Sequence, residues 1–160
     1  MVAALVFLFF ISRLRPTIII SERIAKGQSS AGKTCFRIKI INKTQRPIIY
    51  IKAQLHLISP SVVPQGVILK SKNIQLRRSN PMEISGFDRK DKEAKYAFRF
   101  LTYENLDVIW ENDTRSYLRF QIFAVDSLSG FGKVFTQDYH MKRNILTDGD
   151  FEFGDSLDIK

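Results

Sequence analysis

The eight residues from Gly27 to Thr34 have the types and spacing of a phosphate-binding loop. Their order, Gly-Gln-Ser-Ser-Ala-Gly-Lys-Thr, matches the pattern G-x-x-x-x-G-K-[ST] at every position. In such a loop the backbone N–H groups and the dipole of a following helix converge on phosphate, while the lysine reaches the terminal phosphates. A nucleotide site built on this pattern uses Gly27, Gly32, Lys33 and Thr34.

The residues that follow this pattern favour a strand rather than a helix. Cys35 to Asn42 is an alternating run rich in isoleucine, which is typical of a β-strand. The helices that a parallel nucleotide-binding sheet needs between its strands are also missing from the pattern. We therefore interpret residues 27–34 as a hairpin loop and keep a small P-loop nucleotide-binding protein as the alternative.

Three other patterns indicate chemistry only weakly. Residues 129–136 are similar to the RNA-stacking strand of RRM domains, but Ser129 replaces its basic residue and Lys133 replaces an aromatic one. Residues 148–152 lack the turn glycine and the closing glutamate of a calcium loop. With two histidines and one cysteine, no zinc site or catalytic dyad can be assembled. We predict no enzyme, no metal, no cofactor and no nucleic-acid partner.

The net charge of +9 is unevenly distributed along the chain. Five acidic residues cluster at the end, namely Asp148, Asp150, Glu152, Asp155 and Asp158, so the rest of the chain is strongly basic. Such a body favours anionic partners. Several basic residues occupy the polar positions of predicted strands, which is typical of the solvated face of a sheet: Arg37, Lys39, Lys52, Arg99 and Arg119.

Apolar residues alternate with polar ones along most of the chain, which predicts strands. The runs lie at residues 17–21, 35–42, 49–57, 67–76, 94–100, 117–125 and 133–140. Leu106, Ile109 and Trp110 instead fall at helical spacing, so we predict one short helix within residues 102–112, capped by Thr102 and anchored by Trp110. Short strands separated by turn residues indicate an all-β fold, an antiparallel β-sandwich over residues 17–160.

The N-terminal segment is apolar enough to enter a membrane. Residues 2–11 are wholly apolar and are followed by a basic segment, residues 13–16, that contains Arg13 and Arg15. Ten helical residues cover only about 15 Å, so residues 1–12 predict a partial membrane anchor. By the positive-inside tendency the two arginines place the following domain in the cytoplasm. At headgroup depth Arg13 and Arg15 would bind anionic lipid.

The chain also resembles the cytoplasmic C-terminal domain of inward-rectifier potassium channels, particularly the bacterial ones. The resemblance covers residues 13 to about 155 and rests on short pieces in the expected order: Arg15-Pro16 with Ile19-Ile20-Ser21, residues 32–38, residues 42–57 (NKTQRPIIYIKAQLHL), residues 74–82, residues 127–130, and Asn144-Ile145-Leu146 with Phe151. It implies an immunoglobulin-like sandwich that assembles as a tetramer and responds to anionic lipid through basic residues at the membrane, here Arg13 and Arg15. The sequence contains no pore helix and no Thr-Val-Gly-Tyr-Gly filter, which excludes conduction by these residues.

Together these observations predict a membrane-tethered, non-enzymatic interaction or sensing module that faces the cytoplasm. Its expected partner is the membrane, through anionic lipid. A protein partner or a homo-oligomer is compatible with the same sequence.

Overall fold

The structure of the chain is a computed structural model that describes residues 2–111 and 115–160. Across these two ranges the chain forms ten strands and three helices. The helices are α1 (Val2–Arg13), α2 (Leu106–Ile109) and α3 (Lys142–Ile145). The strands are β1 (Ile18–Ile20), β2 (Ile24–Gln28), β3 (Thr34–Asn42), β4 (Ile48–Val63), β5 (Gly66–Ile74), β6 (Glu83–Ile84), β7 (Ala97–Thr102), β8 (Tyr117–Asp126), β9 (Gly132–Tyr139) and β10 (Leu146–Asp148).

The strands form two five-stranded sheets. Sheet A has the order β1-β3-β2-β10, with β7 also paired to β3. The register shows that β1 and β2 share one side of β3, while β7 pairs along the other side. Sheet B has the order β5-β4-β8-β9, with β6 paired to the first residues of β4.

The inward residues of both sheets form one large hydrophobic core. Phe36 and Phe100 come from sheet A, and Phe120 comes from sheet B. The rings of Phe100 and Phe120 lie 5.4 Å apart between centroids, so the two sheets meet directly at these aromatics. Alternation of inward apolar and outward polar residues explains why period two dominates the sequence. The prediction of an all-β fold is confirmed.

Two details differ from the predicted antiparallel sandwich with one helix. Strand β10 pairs with β2 in parallel, while the other strand pairs run antiparallel. A parallel pair needs a long connection, and here the chain between Gln28 and Leu146 provides it. The second difference is the presence of α1 and α3 in addition to the predicted helix.

The predicted short helix exists as α2 but is shorter than residues 102–112, and Asn112 lies outside the described residues. Asn105, not Thr102, caps it, because the Asn105 side chain accepts a hydrogen bond from the Asp107 N–H at 3.1 Å. Trp110 follows the helix with 1% of its surface exposed, and its indole N–H donates to the Ser116 carbonyl at 3.1 Å. The prediction that Trp110 anchors this segment on the core is confirmed.

Strands β2, β6 and β10 escape the sequence pattern because they are short and poor in β-branched residues. Strand β2, for example, reads Ile-Ala-Lys-Gly-Gln and is held by its two neighbours rather than by its own propensity. The run predicted over residues 94–100 begins as a strand only at Ala97. Ala94 has a positive φ of 49° and packs with Tyr96 and Ile41 in a separate small cluster.

Candidate functional site

Helix α1 exposes apolar side chains on every side. The exposed fractions of Leu5, Val6, Phe7, Leu8, Phe9 and Phe10 range from 47% to 64%. Because successive helical residues are about 100° apart, six consecutive exposed residues cover the whole circumference. A helix that is apolar all round is normally covered by protein or by lipid.

Helix α1 ends at Arg13, one residue beyond the predicted end of the anchor at residue 12. Its 12 residues measure about 18 Å along the axis. Among the described residues, no helix has the length and apolar character that crossing a membrane requires.

Arg13 and Arg15 are both exposed where α1 meets the sandwich. The Arg13 guanidinium carbon lies 4.8 Å from the centre of the Phe9 ring, one turn back along the helix. The N–H of Arg15 donates to the Arg13 carbonyl at 3.0 Å and turns the chain out of the helix. Both cations therefore lie directly beside the apolar helix. Their binding of anionic lipid stays a prediction.

Hydrogen bonds attach the segment between α1 and β1 to the sandwich. The Leu14 carbonyl accepts a hydrogen bond from the Ser129 hydroxyl in the β8–β9 turn. Thr17 donates its N–H to the Thr44 hydroxyl at 2.9 Å and accepts from the Lys43 N–H at 2.8 Å. Pro16 between these contacts is buried. The base of α1 is thus held on the domain rather than joined to it by a loose linker.

Asp126 organises the turn that holds Leu14. Its fully buried carboxylate accepts N–H groups of Leu128 and Ser129, each at 3.0 Å, and pairs with the Arg46 guanidinium at 2.8 Å. Burial acts to raise the pKa of Asp126, but the hydrogen bonds from Arg46, Ser129 and Leu128 outweigh it and hold the pKa below its ordinary value. The chain from Arg46 through Asp126 and Ser129 to Leu14 therefore links the sandwich to α1. Sequence patterns indicated this turn but not the role of Asp126.

The predicted nucleotide-binding residues lie in the hairpin between β2 and β3. Gly27 pairs with Cys35, and Gln28 pairs with Thr34, in antiparallel register. The loop closes through the Ser29 N–H to the Lys33 carbonyl at 2.8 Å, with Gly32 in the left-handed region at φ 72°.

Strand β3, not a helix, follows this loop, as the alternation after Lys33 predicts. Gly32, Lys33 and Thr34 are therefore not placed at a helix N-terminus, the position in which this motif binds phosphate. Nucleotide binding through Gly27, Gly32, Lys33 and Thr34 stays a prediction.

Lys39 does not lie on a solvated face, so that prediction is wrong for this residue. It is 1% exposed, because the C-terminal segment crosses the outer face of sheet A above it. Its ammonium donates to the carbonyls of Glu152, Gly154 and Ser156 at 2.8, 2.7 and 2.6 Å. Burial, assisted by the nearby Arg99, lowers the pKa of Lys39 to about 8.

Nucleophiles and metal ligands are not gathered into a site. Cys35 is buried, and burial raises the pKa of its thiol, which disfavours the reactive thiolate. Within residues 2–111 and 115–160, no three His, Cys, Asp or Glu side chains are grouped so that they could hold a metal ion.

Comparisons with known proteins give one weak structural similarity. No protein-family model matches the chain. No curated protein sequence matches it either. Among solved structures, the sporulation control protein Spo0M from Bacillus subtilis is similar with a TM-score of 0.42 and 16% sequence identity. The match covers 79% of this chain and 48% of Spo0M, so the chain spans about half the length of that protein.

Proposed function

We propose that this chain is a membrane-tethered, non-catalytic β-sandwich module. The observation that carries the proposal is the exposure of apolar residues all round α1. Full burial of a large apolar side chain is worth about 1.5–3 kcal/mol. Six side chains that are each about half exposed then gain roughly 5–9 kcal/mol in total on entering lipid.

That gain is of the size expected for a lipid anchor. A single myristoyl chain gives only marginal membrane binding, and stable attachment needs a second signal. Arg13 and Arg15 can supply it, since each basic side chain near an anionic leaflet adds about 1 kcal/mol. Because Ser129 and Thr44 hold the segment after Arg13 on the sandwich, an inserted α1 keeps the domain close to the headgroups.

The resemblance to inward-rectifier cytoplasmic domains supports the same arrangement. In that family an immunoglobulin-like sandwich follows a membrane segment and faces the cytoplasm. The positive-inside tendency of Arg13 and Arg15 favours the same orientation here. We infer that the domain is an interaction or sensing module, and that assembly with a protein partner or with copies of itself belongs to this function.

Co-sedimentation of the full chain with vesicles tests the tether. We compare phosphatidylcholine vesicles with vesicles of phosphatidylcholine and phosphatidylserine, using the parent protein and the double variant Phe7→Glu/Phe10→Glu. The matched control is Val67→Glu/Leu69→Glu, which adds the same charge at exposed apolar residues of β5. We expect the parent and the control to sediment with vesicles and the α1 variant to stay in solution.

The arginines have a separate readout in the same assay. Arg13→Gln/Arg15→Gln removes about 2 kcal/mol of attraction to anionic lipid, or roughly a thirtyfold loss of partitioning. This loss should occur only with phosphatidylserine present and should shrink in high salt. If the parent protein ignores both kinds of vesicle, the tether proposal is wrong. If it binds both equally well, only the lipid-sensing role of Arg13 and Arg15 is wrong.

A further inference from the structure

Four arginines line one cleft of about 480 Å³ on the outer side of sheet A. They come from three separate parts of the chain and are accompanied by hydroxyl groups: the cleft is lined by Ser29, Ser30, Arg37, Arg77, Arg78, Arg99, Leu101 and Tyr103. Guanidinium groups are the preferred protein partners of phosphate because two N–H donors can bind two oxygens at once.

Strand register brings Arg37 and Arg99 together. Arg37 pairs with Leu101 on β7, and Lys39 pairs with Arg99, so all four residues point to the same outer face. The side chains of Arg37 and Arg99 are 13% and 36% exposed, which holds them in partly desolvated positions. The C-terminal segment covers Lys39 but stops short of Arg37, and the cleft opens there.

A left-handed turn brings Arg77 and Arg78 to the same cleft. Arg77 extends the sheet, with its N–H bonded to the Leu101 carbonyl at 2.7 Å. In an extended chain the next side chain points to the opposite face. Arg78 instead has a φ of 53°, a conformation that is rare for residues other than glycine and often found at functional sites. As a result, both consecutive arginines line the cleft.

The cleft has an excess of positive charge. Asp150 lies 3.4 Å from Arg37 and 3.8 Å from Arg99 at one edge. Among the ion pairs of the described residues, none involves Arg77 or Arg78. Four cations against one carboxylate in a concave surface concentrate a positive potential, and an anion with several charges is the ligand that neutralises it.

The β2–β3 hairpin also contributes to this cleft, although not through its lysine. Ser29 and Ser30 line it, whereas Lys33 does not. Arg37 lies against the hairpin and donates to the Gln28 carbonyl at 2.9 Å. A Cβ on Gly27 would come within 2.8 Å of the Arg37 guanidinium, so glycine there permits this position.

We propose that this cleft binds a multivalent phosphate-type anion, with Arg37, Arg77, Arg78 and Arg99 as donors. Two sources share this chemistry, a free polyphosphate compound and a phosphorylated lipid headgroup. The geometry favours the free compound. Arg37 is five residues from Asn42, where β1 and the base of α1 join β3, which is about 17 Å along a strand. The proposal therefore does not depend on the membrane tether.

Isothermal titration of the full chain with inorganic tripolyphosphate tests the site. We expect saturable binding that weakens at least about tenfold in Arg77→Gln/Arg78→Gln, since hydrogen bonds to a charged group are worth roughly 1.5–3 kcal/mol. The control is Lys70→Gln/Lys72→Gln, which removes the same charge from exposed positions of β5 in sheet B and should bind like the parent. Both double variants should keep the parent's circular dichroism spectrum and melting temperature.

A second arm identifies the source of the phosphate. The Phe7→Glu/Phe10→Glu chain, whose α1 should not insert, is mixed with vesicles of phosphatidylcholine and phosphatidylinositol bisphosphate. Binding that requires Arg77 and Arg78 in this arm, without binding of tripolyphosphate, assigns the cleft to a lipid headgroup. Absence of binding in both arms, or an equal loss in the lysine control, overturns the proposal. Neither result bears on the tether, whose test uses α1 and phosphatidylserine.

Discussion

Replacing Lys39 by methionine removes a buried ammonium while keeping an unbranched side chain of similar length. The substitution deletes three hydrogen bonds to carbonyls of the C-terminal segment. A hydrogen bond from a charged donor is worth about 1.5–3 kcal/mol, so the gross loss is about 5–9 kcal/mol.

The cost of burying the charge offsets part of that loss. The pKa of Lys39 falls from 10.5 to about 8, which corresponds to roughly 3 kcal/mol against the protonated form. The expected net decrease in the free energy of unfolding is therefore about 1–5 kcal/mol at neutral pH. Lys52→Met, at an exposed position of β4, is the matched control and should change stability by less than about 0.5 kcal/mol.

The pH dependence of this difference has a definite sign. Between about pH 8 and pH 10.5 the unfolded chain retains the Lys39 proton that the folded chain has released. The parent's free energy of unfolding therefore rises with pH in this window relative to Lys39→Met. The gap between parent and variant should widen by up to about 3 kcal/mol.

Urea unfolding at neutral and alkaline pH measures this gap, and hydrogen exchange shows where it arises. The N–H groups of Asp150 and Glu152 bond to the carbonyls of Lys160 and Asp158, so they should lose protection in Lys39→Met before the core does. Equal stability of parent and variant, or a gap that does not change above pH 8, would show that the ammonium does not hold this segment.

Three further predictions address the turn, the core and the hairpin. Asp126→Asn should lower stability by about 1–3 kcal/mol, and because the folded pKa lies below the unfolded one, the gap to the parent should close as the pH falls through 3.8 and below; an unchanged gap in acid contradicts this assignment. Trp110→Ala should cost roughly 3–5 kcal/mol in chemical unfolding, and a melting temperature within a degree or two of the parent contradicts its role as an anchor. Lys33→Ala should change stability by under about 0.5 kcal/mol and leave tripolyphosphate binding intact. Micromolar ATP binding that disappears in Lys33→Ala would favour the alternative nucleotide-binding function.

The all-β architecture could be predicted because its main strands carry their own pattern. Phe36, Ile38 and Ile40 alternate along β3 and are all buried, as period two requires. Strand β10 could not be predicted in this way. Its three residues, Leu146 to Asp148, become a strand only because β2 offers an unpaired edge.

The arginine cleft could not be predicted because its parts meet only through strand register and a single backbone angle. Arg37 and Arg99 each read as outward polar residues, which they are, but the sequence does not show that their strands are neighbours. Arg77 and Arg78 share a face only because of the left-handed φ at Arg78. For Lys39 the pattern was correct about the direction of the side chain and wrong about solvent, because a segment more than a hundred residues later covers it.

That covering segment has a consequence for how the protein is made. The Ser156 carbonyl, which accepts from Lys39, is 117 residues further along the chain, and a ribosome adds about 5–20 residues per second. The Lys39 amine therefore remains hydrated for roughly 6–24 s after its synthesis. During that interval β2 also lacks β10 along one edge, and unpaired strand edges invite association with other chains. The nascent domain is thus most vulnerable on sheet A, and a ribosome stalled before residue 146 would hold it in that state.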